Sequence, residues 1–167
     1  RGQKVSRRAM GGAAGRSPWS GLWDHFLDGP DERRAVRFAF RRAALGGLAG
    51  LTPPPEVDGG GVAKLGVVSH ALRARRERPE LFSGYTPLTV DGPRQKHLVA
   101  FDRGGAITIA TRLPVGLSAA GGWGDTTLPL PPGHFLDVFT GSRHTGEVLV
   151  AEALRQYPVA LLLAQRS

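Results

Sequence analysis

The chain has 167 residues, of which 41% are hydrophobic and none is cysteine. This length suits one ordinary domain, or a small domain plus part of another, and the apolar content allows a packed core. The absence of cysteine excludes a disulfide scaffold, a thiolate metal site and a cysteine nucleophile. No apolar run is long enough to span a bilayer and no secretory signal pattern opens the sequence, so we expect a cytoplasmic protein.

The net charge of +8 is concentrated at the beginning of the chain. Residues 1–20 hold five basic side chains and no acidic one, whereas the other 147 residues carry 17 basic and 14 acidic groups. The glycine-rich composition of residues 1–20 predicts a disordered or divergent basic segment. A basic tail can bind phosphate backbones, but this one lacks interleaved aromatic residues and no nucleic-acid-binding motif follows it. We therefore expect neither a nucleic-acid partner nor a membrane partner.

A first helix is predicted after Asp31, which is of the residue type that caps helix N-termini. Apolar residues then recur at four-residue steps, namely Val36, Phe40, Ala44 and Leu48. This spacing predicts one apolar helix face. A run of prolines and glycines over residues 52–61 ends the pattern and predicts a loop.

A second helix is predicted from about residue 62 to residue 78, where Pro79 closes it. Its apolar stripe is predicted to contain Leu65, Val68 and Leu72. Several arginines lie near its C-terminus, where the helix dipole favours cations. Two helices therefore precede the rest of the fold.

After Tyr85 the pattern changes to short β-strands. Strands are predicted at residues 97–101, 106–111, 126–130, 135–138, 147–150 and 158–163. Residues 102–105, with the sequence Asp-Arg-Gly-Gly, predict a hairpin turn between the first two strands. This spacing is typical of a small antiparallel β-sandwich, so the predicted fold class is α+β, with helices first and a β-sandwich last.

The residues offer no complete catalytic set. Histidines are scattered without metal-ligand spacing, no nucleophile elbow occurs and no phosphate-binding glycine motif follows a strand. We therefore expect no metal and no cofactor, and we assign no catalytic residue.

One place is a candidate for sugar recognition, which needs ring faces for stacking and charged groups for hydroxyls, and a second, at Lys64, hints at a site without indicating its chemistry. Trp23 precedes Asp31, Arg33 and Arg34 at a loop-to-helix junction, although a solvated helix start is the ordinary interpretation. Lys64 lies at the start of the second helix, where its charge opposes the dipole, although a surface lysine there is the simpler explanation. A third feature, Trp123 framed by glycines, is either exposed for stacking or folded back as a loop plug, and the plug is favoured.

Several strings in the sequence resemble the maltooligosyltrehalose synthases, a family of the α-amylase superfamily. The strings are Leu-Trp-Asp from residue 22, Pro-Asp-Glu-Arg-Arg from 30, Arg-Glu-Arg-Pro-Glu-Leu-Phe from 76, Gly-Gly-Trp-Gly-Asp-Thr-Thr-Leu from 121 and Asp-Val-Phe-Thr-Gly from 137. The resemblance covers about residues 21–164 in order. It identifies the chain as a C-terminal fragment of such an enzyme.

The resemblance implies a (β/α)8 barrel followed by a C-terminal β-sandwich. Residues 21–82 would be the last loop and helices of the barrel, and residues 83–167 would be the sandwich. The implied reaction turns the reducing-end α-1,4 bond of a maltooligosaccharide into an α,α-1,1 bond without a cofactor. The implied substrate-side residues are Trp23, Asp31, Arg33, Arg34 and Lys64, and the partner is a maltooligosaccharide or an α-1,4-glucan.

The departures from the family pattern limit what is carried over. The catalytic carboxylates of the family lie upstream of every matched string, so the fragment alone is expected to be inactive. Gly29, Glu32, Ala35 and Arg37 stand where the family has Asp, Asn, Pro and Asp, which weakens the assignment of the neighbouring arginines. A non-catalytic carbohydrate-binding or stabilising module is the alternative.

Overall fold

The computed structural model describes residues 62–166, together with Arg42 and Gly46, which are both helical. Its helices are α1 (Val62–Glu77), α2 (Pro114–Ala119) and α3 (Val150–Ala153), with short 3-10 helices at Pro79–Phe82 and Gln95–His97. Its strands are β1 (Thr86–Pro87), β2 (Leu98–Asp102), β3 (Ala106–Thr111), β4 (Thr127–Asp137), β5 (Arg143–Leu149) and β6 (Val159–Ala164). The predicted α+β class is therefore confirmed, while the first predicted helix falls almost wholly outside the described residues.

The strands form one antiparallel six-stranded sheet in the order β1-β2-β3-β6-β4-β5. β6, the last strand in the chain, lies in the middle of the sheet, where it pairs with β3 on one side and with the second half of β4 on the other. Consecutive strands β2 and β3 form a hairpin, and so do β4 and β5. β1, of two residues, and β5, of seven residues, occupy the edges.

The β2–β3 hairpin follows the prediction closely, because its turn chemistry is encoded locally. Gly104 and Gly105 have φ angles of 101° and 113°, which side chains with a Cβ rarely adopt. Asp102 Oδ1 accepts hydrogen bonds from both of their amides, at 3.0 and 2.7 Å. The aspartate therefore caps the turn that the two glycines make possible.

The strands predicted at 126–130 and 135–138 are a single strand, β4, in the structure. Pro131, Pro132 and Gly133 lie between the two predicted strands, and the pairing with β5 shifts register between Pro129 and His134. Proline has no amide hydrogen for the ladder, so the strand continues through an irregular stretch without regular pairing. The sequence signal for a break thus marks a bulge within one strand.

The described apolar side chains form two clusters, one on each face of the sheet. The inner cluster contains residues from β2, β3, β6, both halves of β4, β5 and α3, with Ile107, Ile109, Leu128 and Leu162 almost fully buried. β2 and the first half of β4 are not neighbours in the sheet, yet both contribute to this cluster, so the sheet curls around it. The described strands belong to one curled sheet, and the division into two packed sheets stays a prediction.

The helix-side cluster joins α1 to the opposite face of the sheet. It contains Ala63 and Ala74 of α1 together with Phe139, Tyr157 and Leu161, and Val67 and Ala71 pack against it. The bounds of α1 match the prediction, but the predicted stripe is wrong. Val68 and Leu72 are 39% and 60% exposed, because the small side chains on the other face let the helix approach the sheet closely.

Among the described residues, no helix combines the length and the apolarity that a membrane span requires.

Candidate functional site

The structure describes one of the five predicted substrate-side residues. Lys64 lies in the first turn of α1 and is half-buried, so its predicted position at a helix start is confirmed. Trp23, Asp31, Arg33 and Arg34 lie outside the described residues. Their grouping with Lys64 stays a prediction.

The glycine-framed Trp123 lies in a loop between α2 and β4, here named the tryptophan loop (residues 120–126). Gly121, Gly122 and Gly124 all have positive φ angles, of 81°, 86° and 56°. Trp123 is half-buried and packs against the inner cluster. The loop folds back onto the core, as the plug interpretation predicts.

Arg94 fastens the tryptophan loop to the segment before β2. Its guanidinium donates to the Ala120 carbonyl at 2.5 Å and to the Gly122 carbonyl at 3.3 Å. Its backbone amide donates to Thr126 Oγ1 at 3.2 Å, and that hydroxyl donates to the Trp123 carbonyl at 2.7 Å. One arginine side chain thus satisfies two carbonyls that precede the tryptophan. No local signal in the sequence predicts contacts that span 26 and 28 residues along the chain.

Replacing Arg94 with Ala is expected to lower the free energy of unfolding by about 2 kcal/mol, because two carbonyls lose a charged donor. We expect the emission maximum of Trp123 to shift to longer wavelength as the loop loosens. Urea unfolding and fluorescence of a variant carrying Trp19→Phe and Trp23→Phe measure both effects. Arg112→Ala, a change at an exposed arginine, is the matched control. An unchanged emission maximum in Arg94→Ala would show that the arginine does not hold the loop.

Asp137 is the one buried carboxylate among the described residues, with 1% of its surface exposed. Its Oδ1 accepts hydrogen bonds from the amides of Phe139 and Leu161, at 3.1 and 3.3 Å. Its Oδ2 accepts from the Thr140 hydroxyl at 2.6 Å. Burial raises the pKa of Asp137 above its ordinary value, and the three hydrogen bonds and His144 oppose this shift. The carboxylate therefore holds the turn between β4 and β5.

A chain of hydroxyls connects Asp137 to the surface. Thr140 Oγ1 lies 2.7 Å from Ser142 Oγ, and Ser142 Oγ lies 2.9 Å from His144 Nε2. Because Thr140 donates to the carboxylate, its oxygen is left to accept from Ser142. Ser142 in turn accepts from Nε2–H of His144. Ser142 thus lies beside a histidine, but its hydroxyl proton is donated to Thr140 and not to the imidazole. The arrangement therefore stabilises the turn and does not activate Ser142 as a nucleophile.

A pair of aromatic rings lies on the outer face of the β1–β2 edge. The ring centroids of Tyr85 and Phe101 are 5.2 Å apart and the ring planes are tilted by 35°. Tyr85 is 67% exposed and Phe101 is half-buried. We name these two rings the aromatic platform. The sequence could not pair them, because the register of β1 against β2 is needed to bring them together.

The backbone beside Tyr85 is fixed by Arg103. The Arg103 guanidinium donates to the carbonyls of Gly84 and Phe82, the latter at 2.9 Å, and the Gly84 amide donates to the Arg103 carbonyl at 2.6 Å. An exposed aromatic residue is thus attached to a backbone with three anchoring hydrogen bonds. The backbone beside this residue is therefore held in place before any ligand arrives.

The described residues hold no group of three or more metal-binding side chains. Their buried carboxylate is engaged by three donors, so it is not available as a nucleophile or a general acid. What this part of the chain offers chemically is an open aromatic surface, and a cation at the start of α1.

Comparison with known proteins shows that the chain is similar to one segment of much longer proteins. No protein-family profile matches it. Proteins from two strains of Mycobacterium tuberculosis, named maltooligosyl trehalose synthase, are 41% identical over 147 residues, which cover 86% of this chain and 18% of theirs. The chain therefore spans about a fifth of the length of the curated relatives it matches.

Solved structures give the same result. The maltooligosyltrehalose synthase of Arthrobacter ramosus superposes with a TM-score of 0.76 and is 51% identical, over 81% of this chain and 18% of that one. A further structure, described as DSM5389 glycosyltrehalose synthase, has a TM-score of 0.57 at 20% identity and supports the fold alone. The resemblance read from the sequence strings is thereby confirmed.

Proposed function

Because the chain is homologous to a segment of the maltooligosyltrehalose synthases, we propose that it is the C-terminal part of such an enzyme. The observation that carries this proposal is the 51% identity at a TM-score of 0.76 to the Arthrobacter ramosus enzyme. In this proposal, residues 21–82 complete a (β/α)8 barrel and residues 83–167 form a β-sandwich beside it. The curled sheet around the inner cluster supports the second assignment.

The proposed reaction of the intact protein is an intramolecular transglucosylation. The reducing-end α-1,4 bond of a maltooligosaccharide is broken and an α,α-1,1 bond is formed in its place. Retention of the anomeric configuration requires a carboxylate nucleophile and a carboxylic acid that protonates the leaving oxygen. Neither role suits Asp137, whose oxygens are occupied, so the proposal puts both carboxylates in the portion of the enzyme outside this chain.

The contribution of this chain to substrate binding is proposed at the mouth of the barrel. Strand-to-helix loops build the active face of such barrels, and each following helix begins at that face. Lys64 lies at such a helix start, and Trp23, Asp31, Arg33 and Arg34 lie in the loop before the first predicted helix and in its first turn. We assign these five residues to the substrate side, where the charged groups would bind sugar hydroxyls and Trp23 would stack on a ring.

The pure 167-residue chain is expected to convert no maltopentaose, whereas a protein that contains this segment and a complete barrel converts it to a product without reducing ends. Loss of reducing-end signal and the appearance of the α,α-1,1 anomeric proton in NMR spectra measure the reaction. In the same intact protein, Lys64→Gln is expected to raise KM severalfold. Conversion by the pure chain would refute the proposal that the catalytic carboxylates lie outside it. Absence of conversion by the intact protein would refute the proposed reaction.

A second candidate function, a non-catalytic carbohydrate-binding module, is favoured by the exposed aromatic platform. It predicts saturable binding of maltooligosaccharides by this chain with no barrel elsewhere in the protein. The conversion assay on the intact protein separates the two.

A further inference from the structure

The outer face of the β1–β2 edge presents apolar side chains that the described fold leaves open. Phe101 lies opposite Pro87 on one side and Thr108 on the other, and Val99 lies two residues before it on the same face of β2. Tyr85 is 67% exposed and Val99 is 40% exposed, and Pro87 is exposed as well. These side chains continue the aromatic platform along the strand.

The platform is also prepared for a polar ligand. No hydrogen-bond partner is present for the Tyr85 hydroxyl in the part of the chain that the structure describes. Thr108, the cross-strand neighbour of Phe101, adds a second hydroxyl on the same face. An apolar ring surface with hydroxyls at its border suits a sugar, whose ring hydrogens stack on aromatic faces while its hydroxyls accept and donate hydrogen bonds.

The size and shape of the platform distinguish among possible occupants. A stable protein interface takes about 20–30 residues from each partner, whereas the open apolar face here consists of a few side chains around two rings. The charged side chain beside the two rings is Arg103, whose guanidinium is engaged by the carbonyls of Gly84 and Phe82. One engaged cation does not make the basic patch that a nucleic-acid backbone requires. The 35° tilt between the rings gives a bent surface, which suits a curved α-1,4-glucan better than a flat β-1,4-glucan.

We propose that Tyr85 and Phe101 form a glucan-binding site that is separate from the catalytic centre and takes two or more glucose units of an α-1,4-linked chain. The proposal rests on the proposed function for its substrate class. Arg103 acts as a positioning residue, because its three hydrogen bonds around Gly84 fix the backbone that carries Tyr85. Binding there would hold a long glucan on the enzyme while its reducing end enters the barrel.

Retardation of the 167-residue chain in gels containing amylopectin, together with titration by maltoheptaose, tests the site. The wild-type chain is expected to bind, and Tyr85→Ala and Phe101→Ala are expected to weaken the association roughly tenfold or more, as truncation of a stacking aromatic does. Tyr85→Phe keeps the ring and should retain most of the binding. Val115→Ala removes part of another exposed apolar side chain and should bind as the wild type does. Circular dichroism checks that each variant is folded.

Three outcomes would overturn the site. They are the absence of retardation in the wild-type chain, equal retardation of wild type and Tyr85→Ala, and equal affinity for cellopentaose and maltopentaose. Self-association that Tyr85→Ala abolishes, without glucan binding, would assign the face to a second copy of the chain and would likewise overturn it.

The intact protein keeps this test distinct from that of the proposed function. There, Tyr85→Ala should weaken retention by amylopectin, whereas conversion of maltopentaose by the wild-type intact protein tests the proposed function. Conversion without any effect of Tyr85→Ala on retention would refute the platform and leave the proposed function standing. Glucan binding by the chain without conversion by the intact protein would support the platform and refute the proposed function.

Discussion

Asp137→Ala is expected to lower the free energy of unfolding by about 3 kcal/mol, because it removes the acceptor of three donors in a buried turn. The amides of Phe139 and Leu161 and the hydroxyl of Thr140 all point at this carboxylate. Asp137→Asn keeps an oxygen for the two amides, and its amide nitrogen can donate to the threonine oxygen after the hydroxyl turns. We expect the asparagine variant to lose about 1 kcal/mol or less. Urea unfolding at neutral pH measures both changes.

The pH dependence of the free energy of unfolding, compared between wild type and Asp137→Asn, tests the role of burial. Burial raises the folded-state pKa of Asp137 above its ordinary value of 3.8, so protonation favours the folded protein. The contribution of this group is fully present below pH 3.8 and is lost as the pH rises through the raised pKa of the folded state. The stability advantage of wild type over Asp137→Asn should therefore be largest in acid and should decrease toward neutral pH. An advantage that grows with rising pH would mean that hydrogen bonding outweighs desolvation.

Gly92→Ala is expected to cost about 3 kcal/mol or more, since the position combines a forbidden backbone angle with a steric clash. Gly92 has a φ of 109°, and a Cβ built on it would lie 2.8 Å from the Cα of Thr126. That backbone atom cannot move aside, because Asp91 and Thr127 exchange hydrogen bonds of 3.0 and 2.9 Å immediately beside it. The alanine would push the tryptophan loop away from the segment that carries Arg94.

Gly121→Ala is the matched control for this prediction. Gly121 also has a positive φ, of 81°, but a Cβ there would meet nothing within 4 Å. Only backbone strain remains, for which we expect about 1 kcal/mol. Thermal or urea unfolding of Gly92→Ala and Gly121→Ala measures the loss of stability in each, and the difference between the two losses gives the cost of the steric clash. Equal losses in the two variants would show that the close approach of Thr126 has no energetic effect.

The parts of the fold that could be predicted are those with local signals. The turn at residues 102–105 follows from its two glycines, strand β3 follows from a run of β-favouring residues, and Pro79 marks the end of α1 correctly. The buried face of α1 was assigned wrongly because leucine and valine carry more weight in a periodicity argument than alanine. The buried positions of α1 are nonetheless small residues, namely Ala63 and Ala74, at 4% and 5% exposure, and Gly66. Which face of a helix is buried depends on the surface it packs against, and the sequence of the helix alone does not specify that surface.

The site features depend still more on distant pairing. Tyr85 and Phe101 meet only through the register of β1 on β2, and Arg94 reaches carbonyls 26 and 28 residues away. Neither pattern has a short-range signature. Lys64 could be placed at a helix start from the sequence, since the end of the glycine run marks the start of α1. Its role toward a substrate stays a prediction because it depends on residues in other segments.

The central position of β6 has a consequence for how the protein is made. β3 and β4 are both synthesised well before β6, yet β6 lies between them and supplies their shared hydrogen bonds. Until the ribosome has added β6, β3 and the second half of β4 each expose an edge, and the inner cluster lacks Ala160 and Leu162. Such a nascent chain has open strands that invite aggregation. A premature stop a few codons before β6 would therefore remove the strand that joins the two hairpins, so the loss would be of the whole sheet and not of one edge.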